Sequence, residues 1–301
     1  MVNKIIFSGI DNAGKTSIIY TIKNQYQFLS GLKPTKGIRR RKYNLLGIDF
    51  ILWDLGGQLK HRENYFDKKD FIFTNVDLLI YVIDIQDEER YDEAENYYHR
   101  IIDAIKSYNE SPEIIILFHK MDPELKFEPK LRMFVEDLKK RFKSNGFEIT
   151  FFETSIFQRW SLINAFSYGL RKLFEKGSGN IVEYLKEWSK ILETKSLILI
   201  NNEDIIIGEI FKDDSSYKEV NENMNNIVNI AKGSLETGES TIIKTANSLF
   251  CIDPIHIGDH DLLLVNYTDE VEKFDEIISY TIDFSTYNNL ENVLNDYFRR
   301  V

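Results

Sequence analysis

Cysteine, long apolar runs, lipid-attachment signals and an excess of basic charge are all scarce or missing in this chain, and each shortage removes a class of protein. Its 301 residues contain a single cysteine, Cys251, which excludes an intramolecular disulfide and a zinc site built on cysteines and fits a reducing, cytoplasmic setting. No apolar stretch approaches the roughly 20 residues needed to cross a bilayer. The N-terminal MVNKIIFSGI turns polar too early for a signal peptide. Position 2 is valine rather than glycine and the last residues are FRRV, so the myristoylation and prenylation patterns are both missing. No direct membrane anchor is expected, and peripheral residence at a membrane would come through partners.

The net charge is −10, and it is unevenly shared. From Gly177 onward 10 Lys and Arg stand against 23 Asp and Glu, while the first 176 residues carry 28 against 25. An acidic second half argues against nucleic-acid binding there. The one dense basic cluster, Arg39-Arg40-Arg41-Lys42, lies on a short predicted strand and is read as a solvated edge in preference to a phosphate-binding patch.

What is present is the composition of a folded protein, 43% hydrophobic and 29% charged, and a length sufficient for two cores. Up to about residue 175, apolar runs alternate with helical patterns, the rhythm of a parallel α/β sheet. KIIFSGI, GIDFILWDL, VDLLIYVID, EIIILFH and EITFFET are the strands. Helices are expected over 15–28, 88–108, 129–145 and 160–174. The glycines of KGSGN, residues 176–180, mark a linker, dividing the chain into domains 1–176 and 177–301. The second domain has the predicted order helix (181–192), strand (197–201), strand (204–210), helix (217–231), three strands (240–245, 249–253, 261–267) and a helix from 271. That order suggests an antiparallel sheet with helices packed on it.

Gly9-Ile10-Asp11-Asn12-Ala13-Gly14-Lys15-Thr16 matches GxxxxGK[ST], placed between a strand and a helix. Such a loop wraps backbone N–H groups of residues 11–17, Ser17 included, around phosphates at the positive end of a helix. Gly14 permits close approach, Lys15 neutralises phosphate charge, and Thr16 offers a hydroxyl to Mg2+. The motif alone chooses neither ATP nor GTP, and neither enzyme nor passive binder. Trp53-Asp54-Leu55-Gly56-Gly57-Gln58 ends the next buried strand. Its Asp54 can hold a water on Mg2+, the Gly57 N–H can meet a γ-phosphate, and Gln58 can orient an attacking water. Pro34-Thr35-Lys36-Gly37 lies in the intervening loop, where Thr35 can reach both metal and γ-phosphate. Losing that phosphate would release both contacts, an order–disorder switch.

Together GIDNAGKT, PTKG, WDLGGQ and HKMD resemble the small GTPases, and the tryptophan before DxGGQ and the PTxG loop point to the Arf, Gα and Rag branch. His119-Lys120-Met121-Asp122 in place of NKxD, the run WDLGGQLKHRENYF with IFTNVDLLIYVID, and Thr154-Ser155-Ile156 are similar to the Rag/Gtr GTPases. The resemblance implies a P-loop GTPase domain with a mostly parallel sheet, followed by an α+β roadblock-like dimerisation domain. It implies GTP and GDP with Mg2+ as ligands. Asp122 would select guanine, Lys120 would pack along the base, and Ser155 and Ile156 would lie by the guanine carbonyl. His119 would belong to the base site, although imidazole does not copy the geometry of an amide. Arg39 to Arg41 follow Thr35 instead of preceding it, so no built-in arginine finger is expected. Intrinsic hydrolysis would then be slow, and an activating protein's arginine could speed it by roughly 10³ to 10⁵. Homo- or heterodimerisation, an activating protein, an exchange factor and roadblock scaffold proteins are the implied partners. Two other readings remain at this point: a nearly permanent nucleotide-bound scaffold acting through the acidic domain, and an ATPase.

Overall fold

The computed structural model describes residues 2–45, 48–143, 146–257 and 260–271, and residue 292. Two compact units emerge, 1–165 and 166–301.

In the first unit the strands are β1 (Asn3–Ser8), β2 (Ile38–Leu45), β3 (Ile48–Leu55), β4 (Leu78–Asp84), β5 (Glu113–His119) and β6 (Ile149–Thr154). The helices are α1 (Lys15–Ile22), α2 (Leu59–Asp67), α3 (Lys69–Ile72), α4 (Tyr91–Lys106) and α5 (Pro129–Arg141). The sheet order is β2-β3-β1-β4-β5-β6. Only the β2–β3 pair is antiparallel, which makes the sheet mostly parallel. All seven residues of β4 are buried, as expected of a central strand covered on both faces. Loops leaving the C-terminal ends of the parallel strands β1, β3, β4 and β5 therefore open on the same edge of the sheet, where open α/β sheets place their ligands.

The Arg39–Lys42 run lies on the edge strand β2, as expected. Two of its charges lie over aromatic faces, Arg40 over Trp53 at 4.9 Å and Arg41 over Tyr20 at 5.4 Å, and Lys42 pairs with Asp49. Three local expectations are corrected. The helix after the phosphate loop stops at Ile22 instead of reaching residue 28, because Asn24 takes φ 56° and a separate 3-10 turn, Tyr26–Phe28, follows. Helices α2 and α3 were not expected, since in LKHRENYFD only Arg62 and Tyr65 are buried and no apolar period signals a helix. The third is the linker: residues 176–180 lie inside one continuous helix, α6 (Arg159–Ile191). The division between compact units accordingly falls at Ala165/Phe166, before the glycines.

The second unit contains β7 (Ser196–Asn201), β8 (Ile206–Phe211), α7 (Asp214–Thr237), β9 (Thr241–Lys244), β10 (Leu249–Ile257) and β11 (His260–Thr268). Its sheet runs β8-β7-β11-β10-β9 and every pair is antiparallel. The helical half from Ile181 packs on it closely: a Cβ on Gly208 would stand 2.8 Å from both Ile181 Cγ2 and Leu185 Cδ1. Asp213 caps α7 by accepting the Ser216 N–H, with the Ser216 hydroxyl near the Asp213 N–H, and the helix runs six residues past the expected end at 231. The helix expected from 271 lies outside the described residues.

Candidate functional site

The residues 9–14 that join β1 to α1 turn sharply, through positive φ at Gly9 (141°), Asn12 (61°) and Gly14 (92°). A side chain at Gly9 would meet the Val82 carbonyl at 2.3 Å, so the loop lies directly on β4. Lys15 is buried, and its ammonium donates to the loop's own carbonyls, Gly9 O at 2.9 Å and Ile10 O at 2.6 Å. Burial pulls its pKa down to about 8, against the opposing pull of Asp54 and Asp11. A buried cation coordinated only by carbonyl dipoles is the arrangement that an incoming anion would relieve.

Next to it three predicted residues converge. Thr16 Oγ1 donates to Asp54 Oδ2 at 2.8 Å, Thr35 Oγ1 donates to the same oxygen at 3.1 Å, and the two hydroxyls are 2.9 Å apart. The second carboxylate oxygen, Asp54 Oδ1, is buried with no hydrogen-bond partner. Two hydroxyls and one carboxylate are hard oxygen donors, the set a small divalent cation takes together with phosphate and water, and a bare buried carboxylate oxygen fits the same demand.

The PTKG and DLGG segments are fastened to each other. Gly56 N–H donates to Gly37 O at 2.9 Å, and a Cβ on Gly56 would strike Thr35 O at 2.3 Å. Tyr65 Oη lies within hydrogen-bond reach of both Gly37 O (2.8 Å) and Gly56 O (3.1 Å); the sequence reading missed this tyrosine because α2 itself was missed. Gly57 lies against the phosphate loop, its Cβ position 2.3 Å from Asp11 N. Gln58 follows, half-buried, as the N-cap of α2.

At the far side of the loop, Asp122 accepts a hydrogen bond from Ser155 Oγ on Oδ1, and Gln86 Nε2 lies 3.4 Å from its Oδ2. Lys120, at φ 62°, reaches the carboxylate of Asp84, and Ile156 is half-buried beside Ser155. Asp84 and Gln86 escaped the sequence reading; the one available signal was a carboxylate closing the apolar run of β4. His119 closes β5 and lies beneath the phosphate loop. Its ring is 2% exposed and lies under Gly14, where an added Cβ would stand 2.5 Å from His119 Cδ2. Its Nδ1 is 3.1 Å from Thr154 Oγ1. Burial, and then the neighbouring Lys120 charge, lower its pKa to about 3. A neutral imidazole thus fills the space between the phosphate loop and the loop after β6.

A model of the Gtr1/RagA G protein conserved region matches residues 4–231, more than half of the chain. The chain belongs to the Gtr1/RagA family of G proteins. Ras-related GTP-binding protein A of Dictyostelium discoideum is 28% identical over 217 residues, 69% of each chain. GTP-binding protein GTR1 of Saccharomyces cerevisiae is 29% identical over 211 residues, 68% of this chain and 67% of that protein. ADP-ribosylation factor-like protein 4D of Bos taurus is 34% identical over 123 residues, 39% of this chain and 58% of the other. Among solved structures, the Arl6 BBS3 small GTPase from Trypanosoma brucei with bound GppNp overlaps 58% of this chain and 99% of its own, at 19% identity and a TM-score of 0.47. The Gtr1/RagA match extends past the first unit into α7. As a Gtr1/RagA protein the chain is a guanine-nucleotide-binding member of the small GTPases, and no helix among its described residues is long and apolar enough to cross a membrane.

Proposed function

We propose that this chain is a molecular switch that binds GTP with Mg2+, hydrolyses it slowly to GDP and signals through nucleotide-dependent partner binding. The observation that carries this reading is the convergence of the Thr16 and Thr35 hydroxyls on one oxygen of Asp54 while the other is left bare. Thr16 and Thr35 would hold the metal directly and Asp54 through a water; when bound, Mg2+ supplies charge that neutralises the phosphate oxygens. Lys15 exchanges its two carbonyl partners for the β- and γ-phosphates, and the N–H groups of residues 11–17 (Asp11, Asn12, Ala13, Gly14, Lys15, Thr16 and Ser17) cradle them. Gly57, already against Asp11, turns its N–H to the γ-phosphate, and Gln58 holds the attacking water in line. Asp122, oriented by Ser155, selects guanine, with Lys120 and Ile156 flanking the base. Once the γ-phosphate leaves, Thr35 and Gly57 lose their ligand together, and the coupled PTKG and DLGG segments change as one.

Arg40 and Arg41 are engaged with aromatic rings, so neither of these two is a ready transition-state cation. Gln58→Leu is expected to lower single-turnover GTP hydrolysis at least tenfold while GDP affinity stays within threefold. Equal, negligible turnover in both proteins would sink the hydrolytic switch in favour of a constitutively loaded scaffold.

The second unit's helix–strand–strand–helix–three-strand order supports a roadblock-like dimerisation domain, read as 177–301 from the sequence. Self-pairing or pairing with a relative would use the edge strand β9 and α7, whose Ile242 and Ile230 are exposed. An activating protein, an exchange factor and roadblock scaffolds are the expected further partners. A cut at 177 would sever α6, so the full chain is the object to weigh. Light scattering should give a dimer mass that Ile242→Asp reduces to monomer; a wild-type monomer at tens of micromolar would remove self-pairing.

A further inference from the structure

Arg90, the residue just before α4, is held from three directions. Its Nη2 donates to Asp11 Oδ1 at 2.7 Å, its Nη1 to the Asp11 carbonyl at 3.3 Å, and its Nε to Glu93 Oε2 at 2.8 Å. The other oxygen of Glu93 pairs with Arg62. Arg62 lies in the first turn of α2, is 3% exposed, and stacks its guanidinium over Tyr97 at 5.0 Å. Its backbone N–H donates to the carbonyl of Gln58 at 3.1 Å. Asp11, at the other end, is the residue against which Gly57 is pressed.

These contacts close a ring: Gln58, Arg62, Glu93, Arg90, Asp11, Gly57 and back to Gln58. Two acids and two arginines alternate along it, so the chain of charges is internally neutral. A buried arginine left without a carboxylate is strongly unfavourable, so the position of Arg62, and with it the first turn of α2, depends on Glu93. Glu93 is shared with Arg90, and Arg90 is anchored on the phosphate loop.

We propose that Arg90 is a positioning residue of the hydrolytic site: through Glu93 and Arg62 it ties the N-terminus of α2, and hence Gln58, to the phosphate loop. This rests on the reading of Gln58 as the residue that orients water. In this role Arg90 acts through Gln58 and not on a reacting atom; its guanidinium is engaged by Asp11, by Glu93 and, at 3.9 Å, by Asp87. It acts as a strut, and lysine, a point charge without the planar fork, cannot hold both carboxylates and the carbonyl at once.

The test is a double-mutant cycle read by single-turnover hydrolysis, with hydrogen exchange in the presence of a non-hydrolysable GTP analogue as a second arm. Arg90→Ala should lower hydrolysis about tenfold, and Arg90→Lys should restore little of it, while GDP affinity moves less than threefold. Added to Gln58→Leu, Arg90→Ala should have no further effect, because both act through the same water. Exchange over residues 59–67 should rise in Arg90→Ala and in Glu93→Gln and stay unchanged in β4 and β5. Additive losses in the double mutant, faster hydrolysis in Arg90→Ala, or unchanged exchange over 59–67 would each overturn the proposal. Wild-type turnover no faster than Gln58→Leu would overturn the hydrolytic reading itself, and the exchange arm then still decides whether Arg90 positions α2.

Discussion

Asp122→Ala is expected to abolish the preference for guanine over adenine nucleotides, lowering GDP affinity by roughly 10² to 10⁴. Two hydrogen bonds from the base to an ionised carboxylate contribute about 1.5–3 kcal/mol each, and each 1.4 kcal/mol is a tenfold change in binding. Ser155 Oγ donates to Oδ1 and Gln86 Nε2 lies 3.4 Å from Oδ2, contacts that hold the carboxylate proposed to meet the base. Titration of GDP, inosine diphosphate and ADP against wild type and variant reads the effect. Inosine diphosphate, which lacks the exocyclic amine, should fall between the other two in wild type. Equal affinities for GDP and ADP in wild type would exclude the assignment of Asp122 and revive the ATPase.

His119 should make folding stability fall with acid over an unusual window. Its folded-state pKa is lowered to about 3 by burial under Gly14 and by the Lys120 charge, against an ordinary 6.5. Below about pH 6.5 the unfolded chain binds a proton at this site and the folded chain does not. Stability contributed by the neutral ring is therefore present above 6.5 and is lost as pH falls toward 3, at up to about 1.4 kcal/mol per pH unit. His119→Asn keeps a polar partner for Thr154 and cannot titrate. The difference in urea midpoint between the two proteins from pH 7 to pH 4 isolates the histidine, since the other titrating groups are common to both. A difference that stays constant with pH would show that the ring charges freely and is not the buried wedge described.

The parts of the site legible in the sequence are those whose chemistry needs adjacent residues. A phosphate loop requires glycines, a lysine and a hydroxyl in fixed succession, and the structure brings Thr16, Thr35 and Asp54 together as their motifs predict. Strands were equally legible, because β4 and β5 are unbroken apolar runs. Helix α6 was misjudged for a local reason. Glycine in a helix interior costs roughly 1 kcal/mol, so KGSGN looked like a break. Yet Leu170 on one side and Ile181, Leu185 and Trp188 on the other are buried, and that anchoring outweighs the penalty.

The sequence alone determined the family and the phosphate-loop motif, and it singled out Thr16, Thr35, Asp54 and Asp122 as candidate site residues, since each is written in a few neighbouring letters. Only the tertiary structure decided that His119 is a wedge beneath Gly14, that Tyr65 bridges the PTKG and DLGG segments, and that Arg90 bonds to Asp11 of the phosphate loop. The reason is distance along the chain. Asp11 and Arg90 are 79 residues apart and Arg62 and Glu93 are 31, and no local propensity encodes a charge pair that exists only once the sheet has brought β1, α2 and α4 to the same edge.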